Sequence, residues 1–340
     1  MRLIATNPLT SAVSRAGGLG FLGAGTDVST LPSLLQEATT LFQKSPLPKT
    51  PDGILPIGVG FICWGADLSM TLLAIKSAPL KPAAAWLFAP QDPKQLVSWT
   101  EGIRKASDGK TKIWIQIGTV ASAVDIAKSC KPDVLVIQGA DAGGHGLVQS
   151  SSIISLLPEC VDALASKGFG SIPLIATGGI MDGRGTAAAL MLGASGVCMG
   201  TRFLASPEAV ISEGYRNAVV EAKDGGVTTA RTTVYDKARG TRGWPEIYNG
   251  RGVLNQSFWD SQNGMTEEEN AKLYEEAVKM GDQGWGERGR MTTYAGTGVG
   301  LVKKVVPAGE IVKEVLKDCS QRLSRFRTYP SSIGSYKAKI

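Results

Sequence analysis

Histidine is all but missing from these 340 residues: His145 stands alone. Imidazole chemistry near neutral pH therefore has a single source in the chain. Cysteine is scarce as well. Cys63, Cys130, Cys160, Cys198 and Cys319 are odd in number and sit at no metal-binding spacing, which predicts free thiols, no metal centre and a cytoplasmic setting. Long apolar runs are absent too. No stretch reaches the length of a membrane span and the first residues lack a signal-peptide pattern, so no membrane role is expected. Charged residues make up 19% of the chain and aromatics 6%, with a net charge of +6. The basic residues are dispersed, and no basic stripe interleaves with aromatics. That argues against nucleic acid and suits an anionic small ligand.

Glycine, by contrast, is plentiful at 42 residues, and 43% of the chain is hydrophobic. A sizeable core is therefore expected, with many glycines ending apolar runs as tight turns require. Strand and helix signals alternate. Strands are expected at 19–23, 54–63, 83–88, 112–117, 134–137, 172–176 and 196–199. Helices are expected at 8–16, 31–43, 67–77, 93–106, 121–130, 153–166 and 185–192. Such alternation predicts an α/β fold with a parallel sheet, and eight units close a (β/α)₈ TIM-type barrel. Beyond Gly200 the pattern changes. A helix is expected at 207–222, residues 224–264 lose periodicity, and helices return at 266–280 and 308–323. An aperiodic stretch of that length reads as a functional insertion after the last strand.

The stretch VLVIQGADAGGHG at 134–146 is the most informative. Four apolar residues suit a strand buried on both faces. A polar, glycine-dense turn from Gln138 to Gly146 then follows, where α/β folds keep their ligands. Two more strand ends carry glycines, at Gly178-Gly179 and at Gly200. Each alone marks only a tight turn. Three in order at successive strand ends predict a phosphate site, with Gly178, Gly179, Gly200 and Thr201 as donors and Arg202 as the nearest cation. No strand-to-helix G-x-G-x-x-G turn precedes an acidic residue about twenty positions on, so a mononucleotide is expected, not a dinucleotide.

These motifs carry a resemblance. QGADAGGHG, ATGGIMDGRGTAAALMLGASGVCMGTRF and RGTRGWPEIYNGRGVLNQSF resemble the nitronate monooxygenases, once called 2-nitropropane dioxygenases. AVSRAGGLGFLGAGTD and KKVVPAGEIVKEVL extend the likeness over nearly the whole chain. The resemblance implies FMN. It places Gln116, Gln138, Gly143 and Gly144 toward the flavin, and Gly178, Gly179, Cys198, Met199, Gly200 and Thr201 around its phosphate. It makes His145 the base that takes a proton from the carbon bearing the nitro group, with dioxygen as electron acceptor and a carbonyl compound and nitrite as products. It also implies an FMN-binding barrel over 1–206, a substrate-side insertion over 207–300, a closing helix at 301–326 and a tail at 327–340.

The chain departs from the family in three places. The usual first strand, ending in Ala-Pro-Met, is missing or truncated because Met1 falls where that methionine stands; the expectation is a gap between the second and eighth barrel strands, or one that residues 1–6 fill in part. Gly60 replaces a common asparagine, and Cys198 a common glutamine. Two other readings stay open: an FMN-dependent NAD(P)H reductase of enoyl thioesters, and a barrel that binds a flavin or phosphate ligand without turnover.

Overall fold

The computed structural model describes residues 3–327. Most of the expected tail, from 328 on, and Met1 lie outside the described residues. Seven parallel strands form one curled sheet in the order β1 (Phe21–Gly25), β2 (Ile54–Ile62), β3 (Lys81–Phe88), β4 (Lys112–Ile117), β5 (Val134–Gln138), β7 (Leu174–Thr177) and β8 (Gly196–Cys198). The label β6 belongs to Gly144–Leu147, which leaves this sheet for another. Helices alternate with the strands, and this is the (β/α)₈ architecture with one strand short. Among the described residues β1 and β8 do not pair. The gap is partly bridged: Ala5 O accepts the Gly23 N–H at 2.9 Å and Ile4 O accepts the Val210 N–H at 3.1 Å.

Alternation along each strand sorts side chains between two faces. Leu22, Val59, Phe61, Leu87, Ile113, Ile115, Leu135 and Ile137 are buried against the helices in one continuous core. On the other face of β1, β3 and β4 lie Phe21, Trp86 and Trp114, with ring centroids 5.1–6.1 Å apart. Gly58 on β2 makes room for them, since a Cβ there would lie 2.2 Å from the Phe21 ring. Gly58→Ala is therefore expected to destabilise the fold by about 1–3 kcal/mol, the usual cost of overpacking. A urea titration checks this; an unchanged midpoint would mean that the ring moves freely.

Several boundaries differ from expectation for visible reasons. The first strand starts at Phe21, because Gly20 is used in turning back onto the helix Asn7–Arg15; a Cβ at Gly20 would lie 2.1 Å from Thr10 O. The helix expected at 207–222 runs only over Glu213–Glu221, capped by Ser212. Residues 207–211 are diverted, with Val210 tied to Ile4. The insertion, aperiodic in sequence, nevertheless holds regular structure. It contains β9 (Thr229–Thr232) and β10 (Tyr248–Val253), which pair antiparallel with β6 in the order β6-β10-β9. The turn read at 138–146 thus ends in a strand of a second sheet. The closing helix, Ala308–Arg327, packs on the helices Gly183–Met191 and Asn7–Arg15. No helix among the described residues is long and apolar enough to cross a membrane.

Candidate functional site

The ends of β5, β7 and β8 meet around one cavity of about 70 Å³, open to solvent. Gln138 and Gly143 line it from the first turn, Gly178 and Gly179 from the second, and Cys198, Gly200 and Thr201 from the third. Three turns distant in sequence are thus neighbours because parallel strands bring their C-terminal ends together. The paired glycines are required by conformation: φ is 109° at Gly178 and 75° at Gly179. They are required by space as well, since a Cβ at Gly178 would lie 2.9 Å from Gly139 O. The N–H groups of Gly178, Gly179, Gly200 and Thr201 donate to no acceptor among the described residues. The Thr201 hydroxyl accepts the Gly296 N–H at 3.0 Å and keeps its own proton to donate. No ionisable carboxylate lines the cavity. Such a donor-rich ring suits the oxygens of a phosphate.

Other expected residues lie apart from this cavity. Gln116 is on β4, and its side-chain oxygen accepts the Trp86 indole N–H at 3.0 Å. Met199 packs against the main core, and Gly144 opens β6 with φ 67°. Cys198 lines the cavity as a neutral thiol, since burial pushes it up to about 11 despite the Thr177 hydroxyl. Arg202 is buried, with Nη1 unpartnered, and does not line the cavity. Among the described residues no cluster suits a metal ion. Residues 18–23 have G-x-G-x-x-G spacing, but they join a helix end to β1 and open no helix.

The glycine turn is held from outside by two arginines of the second sheet. Arg231 donates to Ala142 O at 3.2 Å and Arg251 to Ala140 O at 3.3 Å. Burial, and after it the charge of Arg251, brings the Arg231 guanidinium down to about 10. On the same turn the Thr297 hydroxyl donates to the Asp141 carboxylate at 2.9 Å. Gly143 is needed where the chain meets residues 295–296, because a Cβ would lie 2.3 Å from Gly296 N.

His145 sits on β6, two residues past the cavity lining, opposite Gly250 of β10. The Gln138 side-chain amide donates to its carbonyl at 3.1 Å, which ties the histidine strand to the cavity. Its Nε2 is 2.8 Å from Asp236 Oδ2, and both side chains are 11% exposed. The imidazole stacks on Trp244, with centroids 3.7 Å apart and planes 3° from parallel. Tyr294 donates its hydroxyl to Asp236 Oδ1 at 2.9 Å. Burial, and then the Asp236 charge, holds that phenol well above its ordinary range, so it stays protonated. Asp236, Tyr294 and the role of Trp244 escaped the sequence reading. Asp236 is 91 residues from its partner, within a stretch without periodicity, and no local signal marks it.

A family model described as nitronate monooxygenase matches residues 89–318. The nitronate monooxygenase npaC of Metarhizium robertsii is 47% identical over 318 residues, covering 92% of this chain and 87% of that protein. A nitronate monooxygenase of Neurospora crassa is 36% identical over 348 residues, covering 97% and 90%. Among solved structures, a nitroalkane oxidase from Streptomyces ansochromogenes superimposes with a TM-score of 0.71 at 20% identity, covering 95% of this chain and 94% of that one. The last likeness shows the shared fold, and the first three show the family. By these matches, which take in all three cavity turns and the strand of His145, the chain belongs to the nitronate monooxygenase family.

Proposed function

We propose that this protein binds FMN and oxidises alkyl nitronates, and nitroalkanes after their deprotonation, with dioxygen to carbonyl compounds and nitrite. One observation carries the reading: a donor-lined cavity and the chain's only histidine are joined through Gln138, which lines the first and holds the backbone of the second. The family is a flavoprotein family, and the cavity fits the phosphate end of such a cofactor. Four unpaired backbone N–H groups and one hydroxyl would hold that phosphate, with no carboxylate in the lining to repel it. Gln138 and Gly143 would approach the ring system from the glycine turn. Bound there, the flavin supplies the electron chemistry toward dioxygen.

The remaining work falls to the chain itself. A neutral nitroalkane holds its acidic proton on carbon, and an imidazole near the cavity can accept it. Free imidazole titrates at about 6.5, so a histidine base suits neutral pH. Half-buried aromatics cover that edge of the site, with Trp244 on the His145 ring face and Tyr294 beyond it. Denaturing the purified protein and identifying the released cofactor by chromatography tests the binding half of the proposal. FMN at about one per chain is expected. Recovery of FAD, or no flavin after reconstitution with FMN, would contradict it.

A further inference from the structure

Asp236 lies in the short helix Val234–Ala238, outside every motif that suggested the site. Its carboxylate is fully engaged by two donors, with His145 Nε2 at Oδ2 (2.8 Å) and the Tyr294 hydroxyl at Oδ1 (2.9 Å). A carboxylate only accepts hydrogen bonds, so the proton on the Nε2 edge belongs to the imidazole. We infer that Asp236 is the positioning residue of this site: it fixes His145 as the Nε2–H tautomer and leaves the Nδ1 lone pair as the proton acceptor. The role in nitroalkane oxidation rests on the function proposed above; the tautomer does not.

The surroundings enforce this choice. Nδ1 has no hydrogen-bond partner among the described residues. Trp244 lies flat on the imidazole at 3.7 Å, and Tyr294 is tilted against it at 5.4 Å, which restricts the ring plane. A ring flip would take Nε2 from a carboxylate only 11% exposed, and leaving such a group without its donor is unfavourable. A cation, Arg239, lies over the Tyr294 ring with its guanidinium carbon 5.6 Å from the centroid. In the proton transfer the substrate C–H bond breaks, its proton goes to Nδ1, and its electron pair stays on the substrate as the nitronate. The imidazolium so formed keeps its Nε2–H bond to Asp236, which stabilises the new charge. Other enzymes place a carboxylate behind a histidine base for the same two purposes, tautomer and charge.

Because His145 is the only histidine, labelling histidine with ¹⁵N gives a single imidazole to observe. At about pH 9, where a free imidazole is neutral, long-range ¹H–¹⁵N correlation of the flavin-loaded protein is expected to show a protonated Nε2 and a bare Nδ1. Asp236→Asn is expected to abolish that preference, because an amide can donate to Nε2. The same variant should lose about 100-fold or more in kcat on neutral nitroalkanes, with nitronate oxidation within a few-fold and FMN retained. An Nδ1–H tautomer in the wild-type protein overturns the inference, and that measurement needs no variant to fold. An unchanged tautomer in Asp236→Asn overturns it equally, as does an equal loss on both substrates. A wild-type protein that shows the Nε2–H signature yet oxidises no nitro compound removes the proposed function and upholds Asp236 as the residue that sets the tautomer.

Discussion

His145→Asn is expected to lower the oxidation of neutral nitroalkanes by about 10²–10⁴-fold, the usual worth of a positioned general base. Oxidation of pre-formed nitronates should fall only a few-fold. The difference lies in the proton. A nitroalkane must lose it from carbon, and water removes it slowly. A nitronate has already lost it and needs only binding and electron transfer. Asparagine is a compact polar replacement; its amide does not reach the Nε2 position, but Asp236 keeps the Tyr294 hydroxyl as a donor at Oδ1. Asparagine cannot accept a proton at neutral pH, and the chain holds no second histidine to take over. Steady-state kinetics on both substrates, at matched FMN content, decide the matter. Equal losses would make His145 a residue that shapes the site. No loss on either would make it a packing residue.

Gly200→Asp is expected to weaken FMN binding by about 100-fold or more while leaving the melting temperature within a degree or two of wild type. Gly200 lines the cavity, yet a Cβ built on it meets no atom within 4 Å. Its φ of −106° is open to any residue, and it immediately precedes the short helix Thr201–Leu204. The substitution therefore adds a side chain into free space and a negative charge beside the proposed phosphate. Placing like charges together costs several kcal/mol, and each 1.4 kcal/mol is tenfold in affinity. Fluorescence titration of the apoprotein with FMN measures the effect. Wild-type affinity in the variant would place the phosphate elsewhere. A protein that no longer folds would mean that the turn tolerates less than its open space suggests.

The main sheet was legible because its strands are short apolar runs stopped by glycine or proline. Ile113, Ile115, Leu135 and Ile137 pack on the helices as the alternation required. The meeting of the glycine turns at one cavity was legible for a related reason, since glycines at successive strand ends are brought together by parallel pairing alone. The second sheet was not. β6 reads GHGL, β9 TART and β10 YNGRGV. None has a run of apolar residues, because these strands are held by backbone pairing and by arginines such as Arg231 and Arg251. Sequence periodicity reports burial of side chains, and such strands have little to report. Asp236 was hidden for a further reason. Its meaning comes from Tyr294 and His145, which reach it from segments 58 and 91 residues away. Gln116 stands on the strand where the sequence puts it, and its side-chain oxygen accepts the Trp86 indole N–H, a partner no local signal marks.

The most direct test of the whole account is anaerobic mixing of the flavin-loaded protein with a pre-formed alkyl nitronate. The account predicts prompt loss of the oxidised-flavin absorbance in the wild type and in His145→Asn. Admission of dioxygen should then restore the colour with release of nitrite. A flavin that stays oxidised with nitronate, and bleaches instead with NAD(P)H ahead of an enoyl thioester, would contradict it.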